Sequence, residues 1–290
     1  MTLVDWCRHC GLEAQMTEEH LPPKSAGNAE PITIYNEVNG ALKVLRSYEH
    51  GHTIPSLCRA CNGGASERGL PQAYATWRKD TLGLLGQAGA AMHAAFGWDH
   101  NDLWLLAKSE TEAFWLPVEH GRGIARGGGF SLHPGRIVRQ VIGMILAVQG
   151  TRHLRDEHPE LIAAYQSKEP ASLTGHSVHV ALAATGTLAY FTDAVMSVTV
   201  DSLDQGGPKV TPFWAIVFQP FVIMLCEGAS APIEAARIDK WLTYPDNAIY
   251  TKADRKTSYP IALRGNLLVE FLHLGADQVR LKEGPSTDVV

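Results

Sequence analysis

Cysteine is scarce in this chain. Five cysteines in 290 residues do not make a disulfide framework, the device of small secreted domains rather than of a chain this long. Long apolar runs are missing too. None reaches the ~20 residues that span a bilayer, and the stretch from Phe213 to Cys226 is interrupted by Gln219-Pro220. The opening Met-Thr-Leu-Val-Asp-Trp has no basic segment followed by an apolar one, so no secretory signal is expected. These absences point to a reducing, cytoplasmic setting with no membrane partner. Positive charge is also short: 25 Lys and Arg against 30 Asp and Glu leave a net charge of −5. That excludes indiscriminate coating of nucleic acid by the whole surface, but not a local basic groove.

What is present reads as a globular protein. Hydrophobic residues make up 45% and charged residues 19%, which separates the chain from disordered sequences. The length suits one large domain or two small ones. Four of the cysteines form two close pairs, Cys7-Arg8-His9-Cys10 and Cys58-Arg59-Ala60-Cys61. Two thiolates from each of two tight turns make the four soft ligands of a tetrahedral zinc. A redox Cys-x-x-Cys needs no second pair. The fifth, Cys226, lies in Val222-Ile223-Met224-Leu225-Cys226 and reads as a buried thiol. Between the pairs stands Glu19-His20-Leu21-Pro22-Pro23-Lys24-Ser25, and Asn62 follows the last cysteine. A carboxylate beside an imidazole, with a carboxamide at hand, suits one hard metal ion and a general base.

These motifs together resemble the HNH (ββα-metal) nucleases, in particular the zinc-stapled type with Cys-x-x-Cys, Glu-His-x-Pro-Pro-Lys-Ser and Cys-x-x-Cys-Asn. The Leu57-Cys58-Arg59-Ala60-Cys61-Asn62 ending is similar to the endonuclease VII-like branch. The resemblance covers roughly the first quarter of the chain. It implies a β-hairpin followed by an α-helix around one divalent ion. Carried over, His20 matches the general base, Glu19 the acidic metal ligand and Asn62 the helix-borne ligand. Cys7, Cys10, Cys58 and Cys61 match the structural zinc ligands. Glu19 stands where the family commonly has Asp, one methylene shorter. The middle Asn of the family name has no assigned counterpart; His50, His52, Asn36 and Asn39 all lie in the long insertion. Glu67, about a turn and a half past Asn62, is a further candidate ligand. Lys24, Ser25, Arg59 and Arg68 are candidates for phosphate contacts. Arg122, Arg126, Arg136 and Arg139 form a positive stretch beside a Gly-rich loop, which reads either as a nucleic-acid face of the second domain or as an ordinary charged helix face.

The expected fold class is α+β. Residues 1–97 would form the ββα-metal domain with a β insertion, and 98–290 a larger α+β domain for sensing, oligomerisation or partner docking. Pro22-Pro23 should end the first strand, since neither can donate to a ladder. Asn39-Gly40 between Ile32-rich and Val44-rich runs signals a hairpin. A helix should start at Asn62-Gly63-Gly64-Ala65-Ser66-Glu67, and the span 72–96 reads as one helix or a pair broken at Gly83, Gly86 or Gly89. Ile137, Val138, Val141, Ile142, Ile145 and Leu146 fall at helical spacing. Strands are expected over 176–180, 195–200 and 213–225, a turn at 205–208, a short helix over 232–241 and a last strand or helix over 267–274.

Two classes of function compete at this stage. One is a DNA endonuclease with structural Zn²⁺ and catalytic Mg²⁺ or Mn²⁺; proteins of this type often act in defence against phage or plasmids. The other is a nuclease-like zinc module that serves as a binding or regulatory subunit of a larger complex; residues 98–290 are the candidate surface for a protein partner or a homo-oligomer. The Glu-His-plus-Asn set favours the first, because a structural ribbon has no use for all three.

Overall fold

The computed structural model describes residues 3–29, 32–38, 41–96, 131–182, 187–198, 209–218, 220–229, 231, 235–251 and 277–281. It is of mixed α+β class. Strands β1 (Val4–Trp6), β2 (Glu13–His20) and β5 (Thr53–Cys58) form a three-stranded antiparallel sheet with β2 in the middle. Pro22 and Pro23 follow the end of β2 and hand the chain to a short 3-10 helix, Lys24–Ala26. Helix α1 (Arg59–Glu67) leaves β5 directly. The second cysteine pair therefore straddles a strand-to-helix junction, with Cys58 at the N-cap.

The insertion between β2 and β5 is a hairpin, β3 (Ile32–Val38) against β4 (Ala41–Tyr48), in register Val38 to Ala41. This is the pairing that Asn39-Gly40 signals. The hairpin joins a larger sheet of order β11-β7-β10-β9-β8-β13-β3-β4, its members being β7 (His176–Leu182), β8 (Thr187–Val198), β9 (Lys209–Phe218), β10 (Phe221–Glu227), β11 (Ala236–Arg237) and β13 (Asp277–Leu281). Strand β13 links the two halves of the chain by pairing with β3 on one side and β8 on the other. A small third sheet pairs β6 (Ser131–Leu132) with β12 (Tyr250–Thr251).

Strand β10 explains the apolar run of the sequence. Phe221, Ile223 and Leu225 enter one core cluster and Val222, Met224 and Cys226 another, so both faces are buried. The first cluster is covered by α2 (Leu70–Phe96) and α3 (Pro134–Ala147). Trp77 of α2 stacks on Phe221 at 4.0 Å and meets Trp241 edge-on. The glycines of α2 do not break it. Helix α3 is buried nearly all round, which a core helix between other helices and a sheet requires. It packs on α2, on α5 (Pro159–Gln166) and on the 3-10 helix Asp239–Thr243. Helix α4 (His153–Glu157) precedes α5. One continuous core runs from Cys7 to Leu242, so residues on either side of position 97 share it.

Three expectations meet a different outcome or none. The helix expected over 232–241 is instead strand β11 followed by a 3-10 helix. There Ile238 donates its N–H to Val178 O and the Asp239 carboxylate takes the Arg237 guanidinium, so backbone pairing to β7 outweighs helix propensity. Helix α1 begins at Arg59 and not at Asn62, which puts Cys61 and Asn62 both in its first turn. The expected features at 121–129, 205–208 and 267–274 lie outside the described residues.

Candidate metal centre

The first cysteine pair sits on a tight turn. Gly11 N–H bonds Cys7 O at 2.8 Å and Cys7 N–H bonds Leu12 O at 3.0 Å. Gly11 has a φ of +74°, and a Cβ there would lie 2.4 Å from the Arg155 guanidinium carbon. That guanidinium donates to His9 O and Cys10 O, clamping the turn from α4. Arg8 ties the same turn to the end of α3 through Gln149 O and Gly150 O. The His9 ring is buried between Gly143 O, 2.9 Å from Nε2, and the Tyr165 ring at 4.3 Å.

The two pairs meet. The sulfurs of Cys7, Cys10, Cys58 and Cys61 all lie within 4.8 Å of one another, with Cys10 and Cys58 at 3.8 Å. None of the five cysteines is in a disulfide. The donor set of four close thiols is consistent with a zinc site. Its electrostatics fit a cation as well. Cys7 is pushed towards thiolate by the Cys61 thiol and by backbone N–H groups, while that same contact pushes Cys61 up. Burial pushes Cys10 up too. Four sulfurs this close share little negative charge unless a dication enters among them.

Glu19 and His20 lie on β2, and Asn62 lies on α1 beside it. Strand alternation puts Thr17 and Glu19 on one face of β2. Asn62 reaches that strand from α1, its Nδ2 donating to Thr17 Oγ1 at 3.1 Å, and Thr17 in turn donates to Leu57 O. The structure therefore brings Asn62 to β2 through Thr17, a residue the sequence did not single out. The Glu19 side chain is buried, and burial alone pushes its carboxyl up to about 7. Among the described residues no hydrogen bond or ion pair reaches that carboxylate.

His20, at the end of β2, is held by a different group. Its Nε2 meets His50 O at 3.0 Å. A carbonyl only accepts, so Nε2 carries the proton and Nδ1 keeps its lone pair in the neutral ring. The insertion thus contributes a backbone oxygen, and the His50 ring is not involved in this contact. His52 is buried, with Nδ1 2.8 Å from Tyr190 Oη of β8, and Tyr190 also donates to Leu21 O. Asn28, fully buried, closes the clasp: Nδ2 donates to Pro22 O and His52 O, and Oδ1 accepts from His52 N–H. A single buried Asn at the right distance gives no sequence signal beyond its turn-forming type.

The remaining candidates scatter. Lys24, Ser25 and Arg59 are exposed. Arg68 is engaged inside the protein, on Asp246 at 2.8 Å and on Tyr165 O and Ser167 O. Arg139 is buried against Tyr244 O, Glu169 O and Asp246, so it does not belong to a nucleic-acid face. Glu67 is exposed and opens onto a cavity of about 570 Å³ lined also by Cys61, Arg68, Arg136, Tyr165 and Asp246. Glu19, His20 and Asn62 do not line that cavity. Its acidic and basic groups offset each other, so it is not an anion trap. Arg122, Arg126, Asn39 and the side chain of Asn36 lie outside the described residues.

Comparison with protein-family models, with curated proteins and with solved structures gives no match. The likeness to the HNH nucleases rests on the motif residues themselves. No helix among the described residues is long and apolar enough to cross a membrane.

Proposed function

We propose that this chain is a metal-dependent endonuclease of the HNH type that hydrolyses DNA phosphodiester bonds. The observation that carries this is the buried Glu19 carboxylate, without a described partner, on a strand that Asn62 reaches from the first turn of α1. A buried carboxylate left bare is costly unless a cation joins it. The strand pair β2–β5 running into α1 is the order of elements that the HNH resemblance implies.

The donor set fits a hard ion: one carboxylate and Oδ1 of Asn62, whose amide nitrogen already faces Thr17, with water to complete the shell. When bound by Glu19 and Asn62, a Mg²⁺- or Mn²⁺-type ion would supply positive charge for the phosphoryl oxygens and the leaving 3′ oxygen. His20 accepts a proton at Nδ1 from the attacking water, its ring oriented by His50 O. Asn28 holds the backbone of His52, two residues past His50, and so orients the base indirectly. Lys24, Ser25 and Arg59, all exposed, are the groups left to meet backbone phosphates. Zn²⁺ on the four thiolates would fix the first turn of α1 and hence Asn62. The resemblance implies 5′-phosphate and 3′-hydroxyl products, and a use in defence against phage or plasmids.

The experiment is plasmid cleavage by the full chain with Mg²⁺ or Mn²⁺, beside His20→Ala, Glu19→Gln and an EDTA control. A general base contributes about 10²–10⁴-fold, so His20→Ala should lose activity on that scale while staying folded. Undiminished cutting by His20→Ala would remove the base assignment. A second reading, a regulatory zinc subunit of a larger complex, is favoured by the net charge of −5 and by the internal use of Arg68 and Arg139. Cutting that needs cell extract, or is absent while zinc stays bound, would point there.

A further inference from the structure

A second group of metal-ligating side chains lies on elements that carry none of the cysteines. His158 precedes α5 and Glu160 sits in its first turn. His176 opens β7 and Glu227 closes β10, and the two are direct cross-strand partners. Cross-strand partners project to the same face. The ligand atoms of His158, His176 and Glu227 all lie within 4.8 Å of one another. Ligands around one zinc, with bonds of about 2.0–2.2 Å, stand about 3.4 Å apart, a spacing reached by rotating side chains alone.

Two further observations say that this group lacks something. His176 is only 5% exposed, yet neither ring nitrogen makes a hydrogen bond of good geometry. The Glu160 carboxylate does stand 2.9 Å from Nδ1 of His176 and 3.7 Å from Nδ1 of His158. The Glu160 carboxylate and the Thr174 backbone thus stand near the ring without a well-aligned hydrogen bond, and a buried imidazole so poorly satisfied needs a reason. In addition, no Lys or Arg among the described residues pairs with Glu160 or Glu227. The two rings meet edge-on at 4.4 Å, with Trp214 of β9 behind both at 6.1 and 6.3 Å.

We propose that His158, His176 and Glu227 form a second metal site, for a divalent transition ion of the Zn²⁺ type, with Glu160 as the carboxylate that orients His176. Two imidazoles and a carboxylate suit Zn²⁺, Co²⁺ or Fe²⁺ rather than Mg²⁺. A carboxylate against the far nitrogen of a ligating His is the usual support of such a ligand. The ion would pin the start of α5 to the end of the β7–β10 strand pair. Because Glu227 is exposed, the site opens to solvent, and three protein ligands leave a coordination position for water or an exogenous donor.

The test is Co²⁺ titration of the full chain, stripped of metal and kept reduced, followed by absorption and tryptophan emission. Thiolate-bound Co²⁺ gives intense near-ultraviolet charge transfer, and a site of nitrogen and oxygen donors does not. In Glu19→Gln, which removes the site of the proposed function, the expected result is one Co²⁺ beyond the thiolate site, without that charge transfer and with quenched emission. This extra ion should bind at least about tenfold more weakly once Glu227→Gln or His158→Ala is added. Glu227 is exposed, so its isosteric change leaves the fold intact and keeps the test decisive. An extra ion that is absent from the parent, that binds Glu227→Gln and His158→Ala unchanged, or that disappears in Glu19→Gln would overturn the proposal.

Discussion

Glu19 is a side chain whose burial has a measurable consequence. Its carboxyl ionises near 4.5 when free and at about 7 in the folded chain, because burial disfavours the charged form. In metal-free protein the folded state therefore holds the proton more tightly than the unfolded state does. Stability should fall as pH rises from about 4.5 to about 7 and level off above, since the cost of a buried charge is absent below that window and full above it. Glu19→Gln should flatten this slope in denaturant melts taken across the range. A slope equal to the parent's would show that the carboxyl is not buried in a metal-free state. Gly51 gives a second prediction. Its φ is +85°, and a Cβ there would stand 2.0 Å from Asn28 O. Gly51→Ala should lose about 1–2 kcal/mol from the backbone alone, more from the collision, and should lower cleavage by displacing His50 O from His20. Asn28→Ala should act through the same clasp. An Asn28→Ala protein that cuts like the parent would leave His20 without this support.

At the scale of elements, the unit that matters is the turn of Cys7 and Cys10, the end of β5 and the first turn of α1. These short pieces are joined by four thiols and by Arg8 and Arg155, and they add Cys7, Leu57 and Cys58 to the buried core. A chelator that strips the ion these thiols would hold, or Cys58→Ser, should therefore release the first turn of α1 and with it Asn62. Hydrogen exchange should show protection lost in β1, β2, β5 and α1 while β7 to β10 keep theirs. Uniform loss throughout the molecule would mean that the thiol cluster supports the whole core. Lost protection confined to one terminus would mean that it supports little. Pro55 of β5 sits at the register shift opposite Thr17 and Glu18. Such an irregularity suits a residue that cannot donate to the ladder.

Across the whole molecule, the core is continuous from Cys7 to Leu242, and a buried polar network bridges distant segments. Arg139 is fully buried and holds Tyr244 O and Glu169 O, while Asp246 receives both Arg68 and Arg139. Arg139→Met should destabilise by about 3 kcal/mol, since removing one member leaves buried groups unpaired. Thermal melts would check it, and a loss under ~1 kcal/mol would place the pair in the weak surface class. Much was determined by the sequence itself. Cysteine spacing marks the thiol cluster, Pro22-Pro23 ends β2, Asn39-Gly40 sets the β3–β4 hairpin, and the apolar periodicity of 137–146 makes α3. Each is a local rule in which a residue and its near neighbours settle the outcome. The tertiary structure alone decided that β13 joins the hairpin to β8, that Arg68 and Arg139 turn inward, that Thr17 and Asn28 position the candidate residues, and that His158, His176 and Glu227 meet. Those outcomes depend on segments far apart in the chain, and one sequence carries no local pattern for a contact whose partners are chosen by packing.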